Sequence, residues 1–227
     1  MQGYRAARDL EFEPGTVCAF VGEASSGKST VLTGIWTLLE AAAPPPTIDD
    51  VSREALNGRI HLEAEIERGR TIFLDARPPD TLNLNRAGAP PVLFMPANLR
   101  SRSVVAPATG TGAADVAELF RPPFADHHWS QADGGLQLIM GMERLVGSNL
   151  RRFVLLIEEP ELYLSPHLQR HLFRVLRTLA QRGNQILYST HAPVFLSVDR
   201  IEDLALVRHT PREGTSLFQP EPLAEAE

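Results

Sequence analysis

Nine consecutive residues, Gly22-Glu23-Ala24-Ser25-Ser26-Gly27-Lys28-Ser29-Thr30, leave this chain few folds to choose from. They fit the pattern G-x-x-x-x-G-K-[ST], which has physical meaning only between a buried strand and a helix. Both neighbours are present. Val17–Val21 is a continuous apolar run, as expected of a strand covered on both faces. Val31, Ile35, Leu38, Leu39 and Ala42 follow at helical spacing, up to the stop at Pro44-Pro45-Pro46. Gly22 and Gly27 permit backbone angles that turn successive N–H groups toward one anion. The helix N-terminus adds partial positive charge. Lys28 can reach the β- and γ-phosphates of a nucleotide, and the Ser29 hydroxyl can ligate Mg²⁺.

Three more apolar runs read as buried strands: Phe153–Ile157, Gln185–Ser189 and Leu204–Val207. After the first of these, Leu168, Leu172, Val175, Leu176 and Leu179 share one helical face. That helix is expected to start near Pro166 and end near Gly183. Strand–helix–strand repetition implies right-handed crossovers and a mainly parallel sheet. The middle differs. Ile60, Leu62, Ala64 and Ile66 alternate with polar residues, so Arg59–Ala76 reads as a hairpin turning at Arg68-Gly69-Arg70. From Arg77 to Asp133 the chain reads as irregular, broken by a short strand at Val92–Met95 and a brief helix at Ala113–Phe120. Residues 77–150 are therefore expected to be an inserted lobe, and the polar residues 212–227 a flexible tail.

Composition bounds the rest. A chain of 227 residues with 43% apolar content can build one large α/β domain with a sizeable core. A formal net charge of −6 argues against coating nucleic acid by bulk charge, although a local basic patch survives this test. Cys18 is the only cysteine, which excludes an intramolecular disulfide framework and a multi-cysteine zinc site. No apolar run approaches the ~18 residues of a membrane span. Met1 to Asp9 lacks a signal-peptide core, so a cytoplasmic location is expected.

The run Phe153-Val154-Leu155-Leu156-Ile157-Glu158-Glu159-Pro160 ends in two carboxylates. In a parallel sheet the carboxyl end of a strand faces the ligand crevice. Adjacent carboxylates point to different sides and can take different jobs. Glu158 can hold magnesium with the Ser29 hydroxyl opposite, and Glu159 can orient or deprotonate an attacking water. The next strand ends in Ser189-Thr190-His191, whose neutral imidazole can bridge the γ-phosphate and the water-positioning carboxylate.

Glu158-Glu159-Pro160-Glu161-Leu162-Tyr163-Leu164-Ser165-Pro166, followed by Ser189-Thr190-His191-Ala192-Pro193, resembles the core of ABC-type ATPases. More narrowly, it is similar to the OLD-family and RecF/SMC-like ATPases of the AAA_21 group. Gly3-Tyr4-Arg5 with Asp9-Leu10, and Phe94-Met95-Pro96-Ala97-Asn98-Leu99-Arg100, resemble further segments of that group. The resemblance implies a P-loop NTPase fold of ABC-ATPase type, with a mainly parallel sheet, an antiparallel β subdomain and an inserted helical lobe. It implies ATP and Mg²⁺ binding, slow hydrolysis, and a homodimer with head-to-head composite sites that drives a DNA-directed, antiphage or DNA-repair effector. Alternatives are a dimerisation switch with little turnover, and the ATPase subunit of a transporter. Leu162–Ser165 would cross the dimer interface, His191 would be the switch histidine, and Arg5 would contact the base or ribose. The chain also departs from the group. Its signature-like segment, Ala132-Asp133-Gly134-Gly135, lacks the usual serine, which puts activation of the partner's site in doubt. It is read as opening a helix with Leu136, Ile139 and Met140 inward. Glu158 stands where aspartate is commoner, and no glutamine-loop residue is assigned. OLD nucleases carry a C-terminal TOPRIM domain, for which the residues after the last strand are expected to be too few.

Other constellations read as ordinary surface. His167 and His171 have metal-capable spacing without an evident third ligand. Asp126-His127-His128 reads as loop. Arg100, Arg102, Arg151 and Arg152 read as scattered surface charge rather than a polyanion site.

Overall fold

The computed structural model describes residues 1–53, 55, 58–66, 69–97, 119–120, 131–197 and 199–220, with 131–134 described as backbone only. The elements run β1 (Gln2–Tyr4), β2 (Ala7–Asp9), β3 (Val17–Val21), α1 (Lys28–Leu39), β4 (Ile60–Ile66), β5 (Arg70–Arg77), β6 (Thr81–Asn85) and β7 (Val92–Met95). They continue with α2 (Gln131–Gly147), β8 (Val154–Glu158), α3 (Pro166–Gln181), β9 (Gln185–Thr190), β10 (Leu204–Thr210) and β11 (Gly214–Phe218). Six strands form one sheet in the order β11-β10-β3-β9-β8-β7, parallel throughout except for the β10–β11 pair. The other five form an antiparallel sheet in the order β2-β1-β4-β5-β6. The mainly parallel sheet and the separate antiparallel sheet agree with the expected fold class.

Strand alternation divides the core into layers. Cys18, Phe20, Phe94, Leu156, Leu187 and Val207 face α1, where Val31 and Leu32 are fully buried. Ala19, Leu93, Leu155, Ile186 and Tyr188 face the other way, onto α2 and α3. The far end of α1 packs elsewhere: Leu38 joins Ile60, Leu62, Ile72 and Leu74 of the antiparallel sheet. Thus α1 is buried between two sheets, while α3 is apolar on one face only. Among the described residues no helix is long and apolar enough to cross a membrane.

Three expectations are corrected. The stretch expected to be irregular contains β6, an edge strand paired with β5 from Phe73↔Asn85 to Arg77↔Thr81. Of the segment from Arg212, expected to fray, Gly214–Phe218 instead forms β11, paired with β10 from Leu206↔Phe218 to Thr210↔Gly214, while 221–227 lie outside the described residues. Pairing supplies the order that its polar composition concealed. In α2, Leu136 is exposed rather than inward. Gly135, Leu138, Ile139, Met142 and Leu145 make the buried stripe at i, i+3, i+4 spacing, and Leu136 falls outside it. The histidines at 127–128, Arg100, Arg102 and all but the last two residues of the helix expected at 113–120 lie outside the described residues.

Candidate nucleotide site

The register of the parallel sheet sets the site. Val21 pairs with Thr190, and Glu158 pairs with Ser189. The carboxyl ends of β3, β9 and β8 therefore come level, and the chain leaves them together at Gly22, His191 and Glu159. Arg151 and Arg152 precede β8 and so sit at the opposite end of the sheet.

Residues 22–27 turn from β3 into α1 in a path that two glycines make possible. A Cβ on Gly22 would lie 2.1 Å from the Val207 carbonyl oxygen. Gly27 caps α1 with φ 103°, and its Cβ would meet Thr215 Oγ1 at 2.4 Å. Thr215 belongs to β11, so the strand missed in the sequence forms the floor of this loop; its hydroxyl donates to the Ser26 carbonyl at 3.3 Å. The Ser26 hydroxyl itself is buried without a partner. Lys28 is 6% exposed, and its Nζ donates to the carbonyls of Gly22 and Glu23 at 3.0 and 2.8 Å. Burial pulls the Lys28 pKa below the usual lysine value, while the Glu159 and Glu161 carboxylates oppose the shift. Ser29, next in the helix, is exposed.

Facing this loop are the carboxylates. Glu158 Oε2 accepts the Ala97 amide at 3.1 Å. Glu159 adopts φ 47°, a conformation rarely used by residues with a Cβ. Its N–H is held by the Ser189 carbonyl at 3.0 Å and hydroxyl at 3.2 Å. Its Oε1 lies 3.7 Å from His191 Nε2, within electrostatic reach but too long for a direct hydrogen bond. The His191 backbone N–H donates to Glu161 Oε1 at 2.6 Å. Downstream, Tyr163 has φ 64° and is 48% exposed, whereas Leu164 is buried. Gln169 of α3 fastens this loop from behind, donating to the Leu164 carbonyl at 3.0 Å. A Cβ on Gly135 would come within 2.6 Å of Leu164 Cδ2, so the helix at the signature-like segment packs directly on the loop at 162–165. The side chains of Ala132 and Asp133 lie outside the described residues.

Lys28, Glu159, Glu161 and His191 thus converge. Arg5 is engaged elsewhere, its Nε 2.8 Å from Asp50 Oδ1. His171 bonds Glu143 at 2.7 Å and so links α3 to α2; among the described residues no cluster of three or more His, Cys, Asp or Glu is placed to hold a metal ion. Two residues of the site carried no assignment from sequence. Glu161 was visible as the third carboxylate of its segment, and Thr215 as a β-branched residue after the turn at Pro211–Glu213.

A phosphate loop feeding α1, with carboxylates at the end of a parallel strand two places away and an antiparallel sheet across the helix, defines the architecture of an ABC-type ATPase head. The comparisons agree. Residues 148–197 match the AAA_21 model, described as "AAA domain, putative AbiEii toxin, Type IV TA system". That stretch holds both Glu158–Pro166 and Ser189–Pro193, the segments on which the resemblance to this group rests. An OLD nuclease of Thermus scotoductus is 52% identical over 54 residues, a match spanning 23% of this chain and 10% of that protein. In three dimensions the SMC head domain from Thermotoga maritima covers 97% of this chain at TM-score 0.59 and 15% identity, with 97% of that chain covered. An SmcHead bound to the C-winged helix domain of ScpA covers 96% at TM-score 0.65 and 10% identity, with 95% of that chain covered. The fold is that of these heads, and the similarity to OLD-type and AAA_21 ATPases matches the expectation from the sequence.

Proposed function

We propose that this chain binds Mg-ATP at residues 22–30 and hydrolyses it slowly, using nucleotide-dependent homodimerisation to drive a DNA-directed, antiphage or DNA-repair effector. The observation that carries the hydrolytic reading is the Glu159–His191 pair at 3.7 Å, set at the ends of neighbouring strands opposite the Lys28 loop. The backbone of Gly22, Glu23, Ala24, Ser25, Ser26, Gly27, Lys28, Ser29 and Thr30 cradles the phosphates. Lys28 Nζ exchanges two carbonyl partners for β- and γ-phosphate oxygens. Ser29 and Glu158 would hold the metal. Their donors are a hydroxyl and a carboxylate, hard oxygens that suit Mg²⁺, and the Ala97 bond engages only one Glu158 oxygen. Bound there, Mg²⁺ supplies charge neutralisation for the transferred phosphoryl group. Glu159 orients and deprotonates the water, and His191 stands between that carboxylate and the γ-phosphate.

Association through this face is supported by Tyr163, a half-exposed aromatic on the loop at 162–165. The likeness to SMC heads supports the same reading at the level of fold. The effector rests on the OLD nuclease likeness, which covers 10% of that protein. The test is Glu159→Gln. It should keep ATP affinity and slow hydrolysis by ~100-fold or more, the usual worth of a positioned base. Parent-like turnover in this variant would remove Glu159 from the reaction.

A further inference from the structure

We infer that Glu161, which the hydrolytic reading leaves without a role, is the positioning residue that ties His191 to the loop at 162–165 within one subunit. The inference rests on that reading for its consequence in turnover, but the contact stands by itself. Glu161 Oε1 accepts the His191 backbone N–H at 2.6 Å, across thirty residues of sequence. A carboxylate accepting an amide makes a charge-assisted bond, roughly twice as strong as a neutral one. The other oxygen, Oε2, is buried with no partner, so the carboxylate is held by the geometry of its loop rather than by a second bond. That loop is closely held. Leu162 N donates to the Glu159 carbonyl at 3.0 Å, and Leu164 N to the Glu161 carbonyl at 3.1 Å. Gln169 grips the Leu164 carbonyl at 3.0 Å from α3. On the far side Leu164 is seated on Gly135 of α2.

The consequence is mechanical. His191 follows the last residue of β9, and its backbone is aimed by Glu161 while its imidazole Nε2 lies 3.7 Å from Glu159 Oε1. A displacement of the loop carrying exposed Tyr163 moves Glu161, and Glu161 moves the His191 backbone. Glu161 never needs to touch substrate. It sets where the imidazole stands relative to Glu159, so its loss should fall on kcat and leave nucleotide affinity nearly intact, since a misplaced group can cost ~100-fold in rate.

Glu161→Ala and Glu161→Gln separate the bond from the charge, because glutamine keeps a carbonyl oxygen to accept the His191 N–H while it loses the charge and carries an NH2 in place of the second oxygen. Two readouts are needed on the full chain: residue-resolved amide hydrogen exchange at His191 without nucleotide, and steady-state ATP hydrolysis. Expected for Glu161→Ala are at least ~10-fold faster His191 exchange, kcat reduced by ~10- to 100-fold, and KM within ~3-fold of the parent. Glu161→Gln should restore most of both. A His191 amide that exchanges at the parent rate in Glu161→Ala overturns the inference, whatever the turnover. So does a parent-like kcat in Glu161→Ala when the parent hydrolyses ATP, or an equal loss in both variants. A parent that hydrolyses no ATP would instead remove the proposed function, and the exchange measurement alone would decide whether Glu161 holds His191.

Discussion

Lys28 shows how a single residue can be specified by its neighbours before any ligand arrives. Its ammonium is buried and curled over the carbonyls of Gly22 and Glu23. Lys28→Ala removes that charge. Equilibrium binding of a labelled ATP analogue should weaken on the order of 100-fold or more, given ~1.5–3 kcal/mol for each charged hydrogen bond and two bonds at stake. Near-parent affinity would place the nucleotide elsewhere. At this scale much of the candidate site was legible. The phosphate loop, Glu158, Glu159 and His191 stand at strand ends that an apolar run marks in advance. Glu161 and Thr215 were not, because their partners are an amide and a carbonyl thirty and 189 positions away. No local spacing encodes such a contact.

Among elements, legibility followed burial. β3 and β7 have the bounds their apolar runs announced, since β3 is buried in all but Val21 and β7, although an edge strand of its sheet, is buried throughout. β6 escaped notice because none of the described residues covers it: Leu82 and Leu84 are 50% and 39% exposed, and pairing with β5 makes the segment a strand. β11 escaped for a related reason, being an edge strand that opens on the small or polar Gly214, Thr215 and Ser216 and ends on an exposed Phe218. It is nonetheless the element on which the phosphate loop rests. Thr215 occupies the space a Cβ of Gly27 would need, and Arg8 of β2 clasps the turn before β11 by donating to the Pro211 and Arg212 carbonyls. Thr215→Leu should therefore strain the loop rather than the core. Overpacking of about 1–3 kcal/mol directed at Gly27 would lower ATP affinity at least ~5-fold. Calorimetric titration beside a thermal melt checks this; a lower melting temperature with parent affinity would show that β11 supports the sheet and not the site.

For the whole molecule, two sheets share α1 between them, and the exposed end of the parallel sheet carries the loop with Tyr163. If that face is where two copies meet, slowing hydrolysis should trap the pair. Glu159→Gln with ATP and Mg²⁺ should show a doubled mass by light scattering, and adding Tyr163→Asp should return it to the monomer by placing a charge in the contact. A mass unchanged by ATP in Glu159→Gln would count against association through this face. The sheet order carries one more consequence, for how the protein is made. β3 lies between β9 and β10, so the strand that leads into the phosphate loop has no neighbour in its own sheet until residues beyond 185 exist. A ribosome adding ~5–20 residues per second leaves that apolar strand waiting roughly 10–40 s for β9 and β10. Through that interval Val17–Val21 is an unpaired hydrophobic segment, the kind of exposed surface that chaperones bind, until those two strands emerge.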